Sequence, residues 1–264
     1  MPPRRCARAL TAVLVLGTLT AACSSGVTST TTTTTTTLCH TQVLPVSGGA
    51  YQIQNNEWGS RAPECITTDG NADFRVAHSS IANSTDGAPG GYPFIYKGCH
   101  WGACTSGSGL PIQVSSLRAG TVTTSWRTTQ PGGSSIYNAA YDIWFNQAPA
   151  TSGQPDGAEL MIWLALHGPN HPGGVVVASG VVIGGLSYDV WQIRRATWNA
   201  ITYVLTTPAT SVHLDLQPLV ADAVRRGAIR TSWYLISVEA GFEVWQGGTG
   251  LATNMFAVHV AAGG

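Results

Sequence analysis

Two stretches of the chain alternate apolar and polar positions with a period of two. Both place glutamate on the row opposite the apolar one. In residues 158–164 (AELMIWL), Leu160, Ile162 and Leu164 form one row and Glu159, Met161 and Trp163 the other. In residues 236–245 (ISVEAGFEVW), Ile236, Val238, Ala240, Phe242 and Val244 form an unbroken apolar row. Ser237, Glu239, Gly241, Glu243 and Trp245 form its opposite. Successive side chains of a strand point to opposite faces. Each stretch therefore predicts a strand that carries acid and tryptophan on the face away from the core.

Shorter runs broken by Gly, Pro, Asn and Asp predict further strands. Together the expected strands are 50–56, 74–81, 92–97, 121–127, 139–146, 158–166, 174–183, 186–193, 199–206, 232–245 and 252–260. Residues 214–226 differ, because Leu216, Leu219, Val220, Ala223 and Val224 recur at helical spacing. Asp215 suits the N-cap, Pro218 the first turn and Gly227 the stop, with Arg225 and Arg226 at the C-terminal end of the dipole. No internal repeat is visible. Many antiparallel strands and one helix predict an all-β fold: a jelly-roll β-sandwich of two antiparallel sheets with one packed α-helix.

Composition narrows the class. The 264 residues hold 13 Lys+Arg against 13 Asp+Glu, and Lys97 is the only lysine. No basic patch is available for nucleic acid, so that partner is excluded. Only 10% of residues are charged, with 31 Gly and 9 Trp, which fits a β-rich extracellular protein. Residues 1–22 read as a signal peptide, with Arg4, Arg5 and Arg8 before an apolar core, Ala9–Leu19, too short to span a bilayer. Leu19-Thr20-Ala21-Ala22-Cys23 resembles a bacterial lipoprotein box, although an aliphatic residue is commoner than Thr20. Cys23 is thus a lipidation candidate, with ordinary cleavage nearby as the alternative. A lipid there would be the only membrane contact expected. Residues 23–38 read as a Thr-rich disordered tether and 39–264 as one catalytic domain, expected to be monomeric. Export makes two disulfides the default for Cys39, Cys65, Cys99 and Cys104. Cys99 and Cys104 flank a short turn, which leaves Cys39 for Cys65. A metal held by Cys99, His100 and Cys104 is the disfavoured rival, and neither metal nor cofactor is expected.

Asp142, Glu159, Glu239 and Glu243 lie inside strand patterns, where acids are unfavourable. The bland reading is a solvated sheet face. Against it, Trp144, Trp163 and Trp245 interleave with these acids, and rows of exposed tryptophan mark a binding surface. Cleavage of a sugar chain needs this combination: one carboxyl protonates the leaving oxygen, another attacks or activates water, and flat indoles hold the rings. The loop His167–His171 is expected on a cleft rim rather than as a metal pair. Trp126, Trp191 and Trp198 are expected in the core, and Trp101 fits either place.

The segments NNEWGS (55–60), YPFIYKGCHWGACT (92–105), AYDIWFN (140–146), AELMIWL (158–164) and SVEAGFEVWQGGTGLATNMF (237–256) resemble glycoside hydrolase family 12. The likeness runs from about 47 to 260 and is strongest to actinobacterial endoglucanases. It implies a retaining endo-β-1,4-glucanase with an open cleft on the concave sheet and no cofactor. By this resemblance Glu159 is the nucleophile, Glu243 the general acid/base, and Asp142 orients the nucleophile. Trp58 is a sugar platform beside Asn56, Met161 and Trp163 line the floor, and Trp144 and Trp245 also bind substrate. The partner implied is a β-1,4-glucan. Glu239 departs from the family, whose members usually carry Gln there. It reads either as a harmless solvated acid or as a group that alters a sugar hydrogen bond or the pH optimum. Xyloglucan preference, a catalytically silent carbohydrate-binding surface protein and a structural wall protein remain as rivals; two retained catalytic glutamates argue against the silent binder.

Overall fold

Two β-sheets pack against each other in the computed structural model, which describes residues 34–261. The expected signal peptide, Cys23 and most of the Thr-rich stretch lie outside the described residues. The end of the expected tether is ordered: Thr36–Cys39 is a strand paired antiparallel with Glu64–Thr68. Threonine suits an edge strand, Leu38 is buried in the core, and a disulfide joins Cys39 to Cys65.

The smaller sheet runs, in order, Thr36–Cys39, Glu64–Thr68, Phe74–Ser79, Ala252–Val260, Val122–Thr129 and Ser211–Asp215. The larger runs Val175–Ile183, Leu186–Arg194, Asn199–Leu205, Ala158–His167, Ile136–Asn146, Tyr234–Gly241, Phe94–His100, Tyr51–Gln54 and Val43–Val46. One pairing departs from the antiparallel expectation. Ala158–His167 and Asn199–Leu205 are parallel, with Ala200 opposite Glu159. The intervening chain makes the hairpin Val175–Ile183 and Leu186–Arg194, long enough for the crossover a parallel pair requires. The expected strand 232–245 is split into Tyr234–Gly241 and Val244–Gly247, leaving Phe242 and Glu243 between them.

The apolar rows meet in one core. Leu160, Ile162 and Leu164 join Val238, Ala240, Phe242 and Val244, and Val122, Trp126 and Phe256 close it from the smaller sheet. Ile236 is buried outside this cluster, because the register slips between Trp144 and Phe145 and Leu235 takes the core place. Trp126 lies edge-on to Tyr141 at 5.3 Å and donates through its indole to Thr253 Oγ1 at 3.0 Å. It belongs to the core, as expected. The helix Leu216–Arg225 follows its sequence signals. Asp215 caps it by accepting from the Gln217 N–H at 3.0 Å, and Leu216, Leu219, Val220 and Ala223 are buried. Arg225 and Arg226 do more than complement the dipole, since both bind the buried Asp222, at 2.9 and 2.6 Å. Tyr203 also donates to Asp222, at 2.9 Å.

One buried acid lies next to the segment that carries Trp58, its backbone oxygen accepting from Asn55 Nδ2 at 2.9 Å. Glu64 is fully buried, and the hydrogen bond that Ser79 offers its carboxyl does not offset that burial. Burial, with the negative charge of Glu57, pushes it from 4.5 to about 8. The folded state therefore holds this proton more tightly than the unfolded chain. Its contribution is fully present below about pH 4.5 and is lost as pH rises to about 8. The slope is about 1.4 kcal/mol per pH unit. Thermal midpoints measured from pH 5 to 8.5 should fall for the wild type and fall less for Glu64→Gln. Parallel curves would refute the assignment.

Candidate active site

The strand Ile136–Asn146 sets the site. Its register places Asp142 opposite Met161 on one neighbour and opposite Glu239 on the other. Trp144 lies opposite Glu159 and Ser237 in the same way. Three acids from three adjacent strands thus share one face. Glu243 joins them from the bend after Gly241. Above this face lies a cleft of about 1240 Å³. It is lined by Asp142, Glu159, Glu243, Asn56, Trp58, Trp144, Met161, Trp163 and Trp245. All the expected active-site and substrate-binding residues are therefore brought together. Met161, Trp163 and Trp245 pack with Ala140 into a separate apolar floor, while Trp58 stands 55% exposed.

The acids have different surroundings. Glu243 accepts from Asn138 Nδ2, and its own backbone N–H donates to Asn138 Oδ1 at 3.1 Å. Burial, added to by the charge of Glu159, raises Glu243 from 4.5 to about 7 despite the Asn138 bond. Glu159 is also raised by burial, but the indole N–H of Trp198 donates to its Oε2 at 2.8 Å. That bond and the guanidinium of Arg195 pull it back down. Asp142 is pushed well above its ordinary value by burial and then by the negative charges of Glu159, Glu239 and Glu243. Its Oδ1 is buried with no partner.

Glu239 is not a solvated acid. It is fully buried beneath the cleft, where Ser237 Oγ donates to it at 2.8 Å and His100 Nδ1 lies 3.0 Å from its Oε1. His100 packs on Phe94 and Trp101 with ring centres 4.8 and 4.2 Å apart. Trp101, 43% exposed, lies edge-on to Trp144 at 5.2 Å and lines the cleft. The rival metal reading of this turn fails, because Cys99 and Cys104 are joined to each other and the Nδ1 of His100 is engaged by Glu239.

Two tryptophans expected in the core are elsewhere. Trp198 is half-buried, lines the cleft and holds Glu159. Trp191 is half-buried and stacks on His171, 5.2 Å away and within 10° of parallel. The loop from Pro169 to Gly173 does line the cleft, and Asn170 ties it to Thr85 O at 3.2 Å. Asn138 and Trp198 contact the candidate acids and were not singled out for that from the sequence. Asn138 shares the cleft-facing row with Asp142, a usable signal. Trp198 lies in the turn before Asn199–Leu205, where no periodicity reports its direction.

A cleft that sets carboxylic acids among indoles defines a sugar-chain hydrolase. Residues 49–261 match the model of glycosyl hydrolase family 12, and the chain belongs to that family. It is 30% identical over 154 residues to a probable cellulase of Mycobacterium tuberculosis, covering 58% of this chain and 99% of the relative. It is also 30% identical over 223 residues to a probable xyloglucan-specific endo-beta-1,4-glucanase of Aspergillus terreus, covering 82% and 84%. An endoglucanase structure from Rhodothermus marinus superposes with a TM-score of 0.81 at 44% identity, covering 86% of this chain and 99% of that one.

Glu239 gives a signed expectation. Its charge raises both Asp142 and Glu159. Glu239→Gln keeps an acceptor for His100 and removes that charge. The variant should remain active, with the acidic limb of its pH–rate profile moved to lower pH. A profile identical to wild type would show that the charge is not felt at the site.

Proposed function

We propose that this glycoside hydrolase is an endo-acting, retaining β-1,4-glucanase in which Glu159 is the nucleophile and Glu243 the general acid/base, with Asp142 positioning Glu159. The observation that carries the reading is the contrast between two glutamates in one cleft. Glu159 is held by an indole N–H beside a guanidinium, and Glu243 is raised to about 7. Paired carboxyls with separated pKa values are the acid/base signature of such enzymes.

The steps follow. Glu159 attacks the anomeric carbon while the bond to the bridging oxygen breaks, and that oxygen takes the proton of Glu243. Esterification removes the charge of Glu159, so Glu243 becomes a better base. It then deprotonates water, which attacks the same carbon and releases Glu159. Burial, and then the charge around it, makes Asp142 the harder acid to ionise, which leaves the nucleophilic charge to Glu159. Trp58 supplies an exposed platform for a sugar ring, and the indole floor of Trp163 and Trp245 borders the point of cleavage.

The substrate we infer is a soluble or amorphous β-1,4-glucan such as carboxymethylcellulose or mixed-linkage β-glucan. The Aspergillus relative keeps xyloglucan as the second reading. Enzymes of this family typically act outside the cell. The basic and apolar signal pattern of residues 1–22 supports secretion, and Cys23 supports a lipid-anchored form; the working unit is taken as a monomer.

Reducing-sugar release from carboxymethylcellulose, mixed-linkage β-glucan and xyloglucan tests this reading and identifies the preferred polymer. Glu159→Ala and Glu243→Ala should each lower it by roughly a thousandfold or more. Polymer binding without hydrolysis in the wild type would favour a silent binder instead. In the wild type, kcat/KM should also decline as pH rises through about 7, where Glu243 loses its proton. A constant rate from pH 6 to 9 would remove Glu243 as the acid.

A further inference from the structure

Trp198 is held on every side that matters for aiming one N–H. The turn that carries it is closed by the Arg195 N–H donating to Trp198 O at 3.2 Å. The next residue, Asn199, donates its backbone N–H to Gly157 O at 3.1 Å. The parallel pairing that sets Ala200 opposite Glu159 brings this turn beside the acid. The indole edge meets Trp144 at 5.5 Å, and the Arg195 guanidinium lies over the ring 5.7 Å from its centre. The N–H then reaches Glu159 Oε2 at 2.8 Å. Among the described residues, Oε1 of Glu159 accepts no hydrogen bond and is left for the cleft.

We propose that Trp198 is a positioning residue for the nucleophile: its indole N–H fixes Oε2 of Glu159 so that Oε1 attacks, and holds the carboxylate again as it departs. The proposal rests on reading Glu159 as the nucleophile. In the first half, Oε1 bonds to the anomeric carbon and the bond from that carbon to the bridging oxygen breaks. The electron pair stays on the bridging oxygen, which takes the proton of Glu243. Oε2 becomes the ester carbonyl oxygen, still facing Trp198. In the second half, Glu243 takes a proton from water and the water oxygen bonds to the anomeric carbon. The bond from that carbon to Oε1 breaks, and its electron pair returns to Glu159. An N–H binds a carboxylate more strongly than a neutral ester oxygen. Trp198 therefore favours the ionised nucleophile in the free enzyme and its release from the ester. The cation over the ring draws density from the indole and strengthens the donor.

Trp198→Phe keeps the ring and removes the donor. Two readouts test it: the pH dependence of kcat/KM, and the rates at which an activated 2-deoxy-2-fluoro glucoside labels and leaves Glu159, followed by mass spectrometry. The acidic limb should move up by about one pH unit, a tenfold loss of Glu159 acidity. Release of the label should slow by about tenfold or more. A wild-type limb and release rate, with the label still on Glu159, would overturn the proposal and leave the nucleophile assignment intact. A rise in KM alone would likewise overturn it, by making Trp198 a sugar platform only. A label on another residue, or full activity in Glu159→Ala, would instead remove the underlying reading. Should the Phe variant fail to fold, Trp198→Leu carries the same two readouts with the same expected results.

Discussion

Four carboxylic acids on one water-poor sheet face cannot all be charged, and the rest of the site is arranged around that constraint. Asp142, Glu159 and Glu239 are brought together by strand register, and Glu243 by the bend that follows. Three of them each have a different compensation. Glu239 has a histidine and a hydroxyl, Glu159 an indole N–H and a nearby guanidinium, and Glu243 an asparagine. Asp142 has an oxygen with no partner and resists ionisation most directly through burial and its neighbours. The proposed division of labour between acid and nucleophile rests on these unequal surroundings rather than on the residue types, three of which are glutamate.

The row of acids could be read in the sequence because a strand's period of two is strict wherever one face is buried. Residues 158–164 and 236–245 kept that period, so their inward and outward sets survived folding, apart from the slip that exchanged Ile236 for Leu235. The helix was legible for the matching reason: its apolar stripe, cap and stop agreed with one another. The short strands Val43–Val46 and Ser211–Asp215 were not, since four or five residues give too few alternations. The parallel pairing was hidden as well, because no local pattern reports which distant strand lies alongside.

Among the side chains, what escaped was what depends on the third dimension. Glu239 sits on the predicted face, yet whether that face is wet at its position is decided by His100 and the aromatic stack above it. Trp198 is a turn residue whose direction is set by the crossover and by Arg195. The resemblance carried Glu159, Glu243 and Trp58 because those residues sit in contiguous motifs. It said nothing of groups that reach the same place from other elements.

The pairing of Thr36–Cys39 with Glu64–Thr68 has a mechanical side. The strand is short and sits at a sheet edge, but its last residue is covalently joined to the neighbour it pairs with. Tension entering from the N-terminal direction would strip at most the hydrogen bonds of that strand before reaching the cross-link. There the force passes into Glu64–Thr68 along a covalent path. The main chain also runs on to Val43–Val46, an edge strand of the sheet that carries the acids, so a pull on the leading end is shared between two sheet edges, and the strands that bear Asp142, Glu159 and Glu239 lie further in.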